Sequence, residues 1–338
     1  MSRALDQEVA ASLSDGNILA AYKAISQVVN PPASSLSPLD ELLEFEILPK
    51  SHQLDAGTHL LRDGPAIAVS KLSLVQAFLV GRKVLHEHIG KERDPTEEDV
   101  FAATAVIWLM DPEHLTAANA RKRLIQAGLS DLEESKRLIG REKYILDSLL
   151  TSRLHRHTKS PTLWSHRQWL LRIARSMDIP LDIFEDVTRV NMVAAKRHPR
   201  NYYAWYYARW LIGPSGMGEG VTERLIPAVK DWCFRNHTDI SGWTFLYHLF
   251  DLGGPPLRET CGKVFDEVLT LAVSLRWTNE SVWVFLRTLA ASGLLGETEY
   301  AAFLTSNKTL IDISQDQAAR AVLERALAWS EKYRRSDS

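Results

Sequence analysis

Apolar residues recur at helical spacing along most of the chain. Leu138, Tyr144, Ile145, Leu149 and their neighbours follow the 3.6-residue period of a helix with a buried face. The same spacing predicts helices over Ile18–Val29, Lys71–His88 and Asp316–Tyr333, the last rich in alanine and leucine. Asn30-Pro31-Pro32-Ala33-Ser34-Ser35 reads as a loop, and Asp55 to Gly64 as irregular. Start signals agree with helices. Ser160-Pro161 pairs a capping hydroxyl with proline at the first helical position, and Ser130-Asp131-Leu132-Glu133 has the spacing of a capping box. Pro199, Gly213-Pro214-Ser215-Gly216 and Gly253-Gly254-Pro255-Pro256 punctuate the helical stretches. The closely spaced turn signals of a sheet protein are missing.

Superimposed on the helical pattern is a repeat. Arg156-His157-Thr158, Arg197-His198-Pro199, Asn236-His237-Thr238 and Arg276-Trp277-Thr278 each lead into a tryptophan six or seven residues after their ring-bearing residue. Those tryptophans, Trp164, Trp205, Trp243 and Trp283, are spaced by 41, 38 and 40 residues. A weaker copy lies at Asp111 to Arg121, with Ala118 in the tryptophan slot. A period near ~40 with helical chemistry means a stack of helix pairs, in which an aromatic at a fixed place packs between neighbours. The four tryptophans are therefore expected to build the fold.

The 338 residues suffice for a large core, and the 45% hydrophobic and 24% charged fractions are those of an ordinary globular chain. A net charge of -2 argues against a nucleic-acid partner, which selects a basic surplus. Cys233 and Cys261 are too few for a disulfide framework or a structural zinc site and are expected as buried free thiols in a reducing compartment. The first residues, MSRALDQEVAASLSDG, lack the apolar core of a secretory signal, and no apolar run approaches the ~20 residues of a transmembrane span. A cytoplasmic protein is the expectation.

Candidate chemistry gathers before Trp205. Arg200-Asn201-Tyr202-Tyr203-Ala204-Trp205 sets a cation, an amide and a phenol at a helix start, where unpaired N–H groups and the helix dipole favour an anion. Arg200 would add charge-assisted hydrogen bonds to a phosphate or carboxylate. The alternative is that Asn201 simply caps the helix and Arg200 is solvated. The glycine-rich Gly213 to Gly218 segment lacks the Lys-Ser/Thr of a phosphate loop, and no strand is predicted before it. His86-Glu87-His88 and His155-Arg156-His157 lack metalloprotease spacing and are expected on solvated helix faces.

The repeat itself resembles that of the protein prenyltransferase α subunits. Asn201-Tyr202 ahead of Trp205, Asn279-Glu280-Ser281-Val282-Trp283-Val284-Phe285-Leu286, and Trp164-Ser165-His166-Arg167-Gln168-Trp169 each match a motif of that family, in register over roughly residues 100–290. Asn119-Ala120-Arg121-Lys122 after an Asp-Pro pair is similar to a divergent branch, the α-subunit repeat-containing relatives. The resemblance implies an all-α fold: a right-handed α-solenoid, a superhelical crescent of antiparallel helix pairs. It divides the chain into an N-terminal helical region (1–98), α-subunit-type repeats (99–300) and a C-terminal capping helix and tail (301–338), with the tail from Arg334 frayed.

It also implies a function, as α subunit of a heterodimeric transferase that moves a prenyl group, expected to be geranylgeranyl, from its diphosphate to a C-terminal cysteine of a protein substrate. No cofactor is expected in this chain; zinc belongs to the partner β subunit. Arg200 stands where the family's lysine meets the diphosphate, and would take that contact with Asn201 and Tyr202 orienting it. Tyr203 replaces a glutamine that meets the protein substrate. Arg167 keeps the family's arginine three residues after the tryptophan, whereas Ala208 and Leu246 replace it and Arg209 stands one place late. Those departures leave a second reading open, a non-catalytic helical scaffold or adaptor.

Overall fold

The computed structural model describes residues 18–32, 41–49, 51–52, 54–90, 95–213, 220–334. The N-terminal segment read as lacking a signal, the end of the loop expected from Asn30, the glycine-rich stretch after Gly213 and the tail beyond Arg334 lie outside them. The chain is built of helix after helix, with one small sheet, in two compact units divided between Asp182 and Ile183. That division falls inside the 99–300 stretch of repeats. No helix among the described residues is long and apolar enough to cross a membrane.

The first unit holds α1 (Ile18–Val29), β1 (Glu44–Leu48), β2 (Leu60–Asp63), β3 (Ala66–Ser70), α2 (Lys71–Gly90), α3 (Glu97–Met110), α4 (Leu115–Gly128), α5 (Leu132–Thr151), the single turn α6 (His155–Thr158) and α7 (Pro161–Ser176). The helices expected from Ile18 and Lys71 form. The stretch from Asp55 to Gly64, read as irregular, ends in a strand, and the N-terminal helical region also holds a sheet that was not expected. Its order is β1-β3-β2, with β1 parallel and β2 antiparallel to β3. Glu44-Phe45-Glu46-Ile47 and Ala66-Ile67-Ala68-Val69 carry a short alternation that buries Phe45, Ile67 and Val69, a two-residue period easily lost among longer helical ones. The outer edge of β1 is closed by a helix rather than by another strand. Leu43 N donates to Ser148 Oγ at 3.1 Å and Phe45 N to Ser152 Oγ at 2.9 Å, from the last turn of α5 and the residue that caps its C-terminus.

Helix starts follow side-chain chemistry. Asp131, not Ser130, caps α5, its carboxylate accepting from both Glu133 N and Glu134 N at 3.0 Å. One acidic oxygen facing two free N–H groups outcompetes the hydroxyl one residue earlier. Ser160 caps α7 as expected, accepting from Leu163 N at 3.1 Å ahead of Pro161.

Three buried arginines hold the first unit together. Arg121 reaches Glu142, donating from Nε at 2.9 Å, and also binds Phe101 O and Thr104 Oγ1. Arg167 binds Asp147 at 2.6 Å, and Arg141 binds Glu98. His166 Nε2 lies 2.8 Å from Glu142 Oε1. Burial alone would raise the Glu142 carboxyl, but Arg121 and His166 overcome it and hold its pKa down to about 2. His157 is buried, not solvated as expected: its Nε2 is 2.9 Å from Trp108 O and 3.1 Å from Leu109 O, while Nδ1 has no partner. A second ring proton would be a buried, unpaired charge, and burial accordingly pushes the imidazole down to about 4.

The second unit comprises α8, a helix in three parts (Ile183–Glu185, a π-helical turn Asp186–Asn191, and Met192–Arg197), then α9 (Tyr202–Leu211), α10 (Val221–Arg235), α11 (Ile240–Gly253), α12 (Arg258–Ser274), α13 (Glu280–Ala290), α14 (Glu297–Ile313) and α15 (Gln317–Tyr333). Gly254, at φ +61°, turns the chain out of α11 into a short 3-10 turn at Pro255–Leu257. The tryptophans are core, as expected. Trp205 packs on Phe245 at 5.1 Å and Trp243 on Phe285 at 5.0 Å, so each meets the phenylalanine two residues beyond the next tryptophan. Trp283 closes the series on Phe303 of α14 at 5.8 Å. Both cysteines are free and buried; burial pushes the Cys261 thiol up to about 12.

Replacing Ser152 by alanine strands the buried Phe45 N–H and is expected to cost about 1–3 kcal/mol in chemical denaturation. Acid unfolding should show two windows. His157 binds its proton more readily unfolded, near 6.5, than folded, near 4, so its contribution is whole above pH 6.5 and lost on acidification toward 4. Glu142, whose folded pKa of about 2 lies below an ordinary 4.5, contributes above pH 4.5 and loses this between 4.5 and 2. A His157→Gln chain should flatten the upper window only, and Glu142→Gln the lower, in a pH series of melting curves.

Candidate functional site

Each repeat builds its helix start in the same way. The capping residues His114, Ser160, Asn201, Asp239 and Asn279 stand four positions before Ala118, Trp164, Trp205, Trp243 and Trp283. The caps accept from the first turn, for example Asn201 Oδ1 from Ala204 N at 3.3 Å and Asn279 Oδ1 from Val282 N at 3.2 Å. In three copies the indole N–H reaches back six residues to a loop carbonyl: Trp164 to Thr158 O at 2.9 Å, Trp243 to His237 O at 2.9 Å and Trp283 to Trp277 O at 2.7 Å.

The Trp205 copy is the exception. Its indole Nε1 is buried with no partner. In the same loop Arg200 adopts φ +59°, a left-handed conformation that disfavours side chains with a Cβ. Asp239 holds that turn. Its Oδ2 accepts from Arg200 N at 2.7 Å while its Oδ1 caps α11 through Ser241 N at 2.9 Å, so one carboxylate ties two successive repeat loops.

The expected site residues separate at this point. Arg200 is exposed, and its guanidinium has no hydrogen bond or ion pair among the described residues. Asn201 is buried and caps α9. Tyr202 is 63% exposed, Tyr203 38% and Tyr206 55%, with Tyr202 stacked on Tyr206 at 5.8 Å and edge-on to Tyr203 at 5.9 Å. Arg167, by contrast, is locked to Asp147 in the first unit.

Tyr206 and Arg209 complete the open face of α9, and the motif reading passed over Tyr206. They lie four and seven residues after Tyr202, on one helix face. Arg209 donates to Trp205 O at 3.2 Å and Thr244 Oγ1 at 3.0 Å and lies 5.8 Å over the Phe245 ring. Half-buried His248 neighbours it, its pKa lowered by burial and then by the Arg209 charge, against the pull of Asp251. The i, i+4, i+7 spacing was visible in the sequence; the neighbours from α11 were not. Among the described residues no group of three or more His, Cys, Asp or Glu side chains converges to hold a metal ion.

Comparison with known proteins places the repeat. Residues 163–268 match the ECM9 middle domain family. The chain is 27% identical over 171 residues to protein prenyltransferase alpha subunit repeat-containing protein 1 of Danio rerio, covering 45% of this chain and 38% of that protein. It is 23% identical over 185 residues to protein ECM9 of Saccharomyces cerevisiae, covering 54% and 48%. Against the Homo sapiens repeat-containing protein 1 it is 23% identical over 170 residues, covering 44% and 39%. These matches therefore span less than half of each relative's own length. The chain is a helical-repeat protein similar to the prenyltransferase α-subunit repeat-containing proteins.

A left-handed arginine costs roughly 1 kcal/mol against glycine. Arg200→Gly is therefore expected to leave the melting temperature unchanged or slightly raised, a result that would separate the guanidinium from any role in folding.

Proposed function

We propose that this chain acts as the α-type subunit of a heterodimeric protein prenyltransferase, docking a zinc-bearing β subunit and presenting Arg200 to the prenyl diphosphate. What carries the reading is one observation: an exposed, unpaired arginine held in a left-handed turn by Asp239, immediately before the exposed Tyr202. Asp178 and Arg276 share that backbone region, so what sets Arg200 apart is the Asp239 carboxylate that holds its turn. The names of the relatives, prenyltransferase alpha subunit repeat-containing proteins, support the same direction.

In this reading the zinc is held by the partner and lowers the pKa of the substrate cysteine, while this chain supplies charge at the departing diphosphate. Arg200 contributes that charge, Asn201 sets the start of α9 by capping it, and Tyr202 offers a phenol beside it. Tyr203, on the adjoining side of the helix, is available to the protein substrate. Geranylgeranyl is the isoprenoid the repeat resemblance favours, and the cytoplasm the compartment.

A second reading, a non-catalytic adaptor, draws on the composition of the same surface. Exposed tyrosines beside arginines are the residues that dominate protein contacts, and they need no chemistry to do so. Protein ECM9 carries no activity in its name.

Co-expression with a β-type subunit followed by prenyl transfer to a cysteine-ended peptide decides between the two. Arg200→Gly in an intact heterodimer is expected to lower the transfer rate at least tenfold; a full rate would remove Arg200 from the reaction, and a stable complex with no transfer at all would favour the adaptor.

A further inference from the structure

The three buried arginines of the first unit each have a carboxylate: Glu142 for Arg121, Glu98 for Arg141 and Asp147 for Arg167. Arg209 is half-buried and has none among the described residues, although burial lowers its pKa. A desolvated cation without a counter-ion is unfavourable, and proteins seldom leave one so.

The repeat shows what is missing. Arg287 occupies the same place relative to Trp283 that Arg209 occupies relative to Trp205, four residues later. It too is half-buried, covered by the Trp329 ring at 5.0 Å. There the first residue of the helix is Glu280, which pairs with Arg325 at 3.8 Å and whose charge acts on Arg287 without an ion pair between the two among the described residues. In the α9 copy that first position is Tyr202. A phenol stands where the later repeat has a carboxylate.

We propose that Arg209 is an anion-binding residue whose counter-ion is a phosphate-type oxyanion supplied by a ligand, lying on the face of α9 where a carboxylate like Glu280 would lie. The groups around it favour that class. Two of the five guanidinium N–H donors are used, on Trp205 O and Thr244 Oγ1, which leaves three. Tyr202 interacts electrostatically with Arg209, Tyr206 stacks on Tyr202, and His248 is a further neutral neighbour from α11. Asp251 acts on His248 but makes no ion pair with Arg209. Several donors and no competing carboxylate at the guanidinium suit the many oxygens of a diphosphate. The inference rests on reading this face as the diphosphate side of the subunit, and it adds Arg209 on α9 to Arg200 in the turn before it.

The test is calorimetric titration of the full chain with inorganic pyrophosphate, and with inorganic phosphate in a second arm, alongside melting curves. Wild type is expected to bind pyrophosphate more tightly than phosphate and to melt higher in its presence. Arg209→Met should bind pyrophosphate at least tenfold more weakly. Tyr202→Glu restores the arrangement of the later repeat. It should raise the melting temperature by a few degrees without ligand and abolish pyrophosphate binding, an outcome that does not depend on Arg209→Met folding. Binding unchanged by Arg209→Met, or a Tyr202→Glu chain that melts lower, overturns the assignment. Loss on Arg200→Gly alone also overturns it but leaves the prenyl-diphosphate reading intact. If wild type binds no pyrophosphate the assignment fails, and the transfer assay of the heterodimer judges the broader reading independently.

Discussion

Helix starts organise this protein. A cap four residues before the tryptophan slot puts the two almost above one another, because four residues are little more than one turn. With the cap turned to the core, the tryptophan must follow it, and Trp205 and Trp243 each reach the phenylalanine of the next copy. The first residue after the cap is rotated by about 100° and faces away. Tyr202, Tyr206 and Arg209 inherit that direction, while Ala204, Trp205 and Ala208 are buried. The chemistry of the open face is thus a by-product of how the core is built.

Charge separates the two kinds of arginine. Arg121, Arg141 and Arg167 are each paired with a carboxylate of another helix. Arg200 and Arg209 are left open, one in solvent on a left-handed turn and one half-sunk over Phe245. Both stand within residues 163–268, the stretch that matches the ECM9 middle domain family. Helix starts built in the same way recur along the stack, while the first helical position differs from copy to copy, Tyr202 in one and Glu280 in another.

Much of the fold was legible because it obeys local rules. The tryptophan interval, the Ser160-Pro161 start and the helix over Ile18–Val29 depend on neighbours within one turn or one repeat. The sheet was less legible. Its strands are four or five residues long, and β1 is completed by Ser148 and Ser152 from a helix about a hundred residues away. His157 misled for a related reason: an imidazole next to Arg156 in a polar run reads as solvated until Trp108 O and Leu109 O are brought to it.

The same division holds at the candidate site. The sequence alone determined that Arg200, Asn201 and Tyr202 share a helix start and that the tryptophans are structural, since both follow from spacing along one helix. Only the tertiary structure decided which of them face outward, that Asp239 ties Arg200 to the next repeat, and that Arg209 lacks the charge Glu280 brings to Arg287. Spacing along a helix sets direction about its own axis, whereas burial and the absence of a counter-ion are properties of everything packed around it.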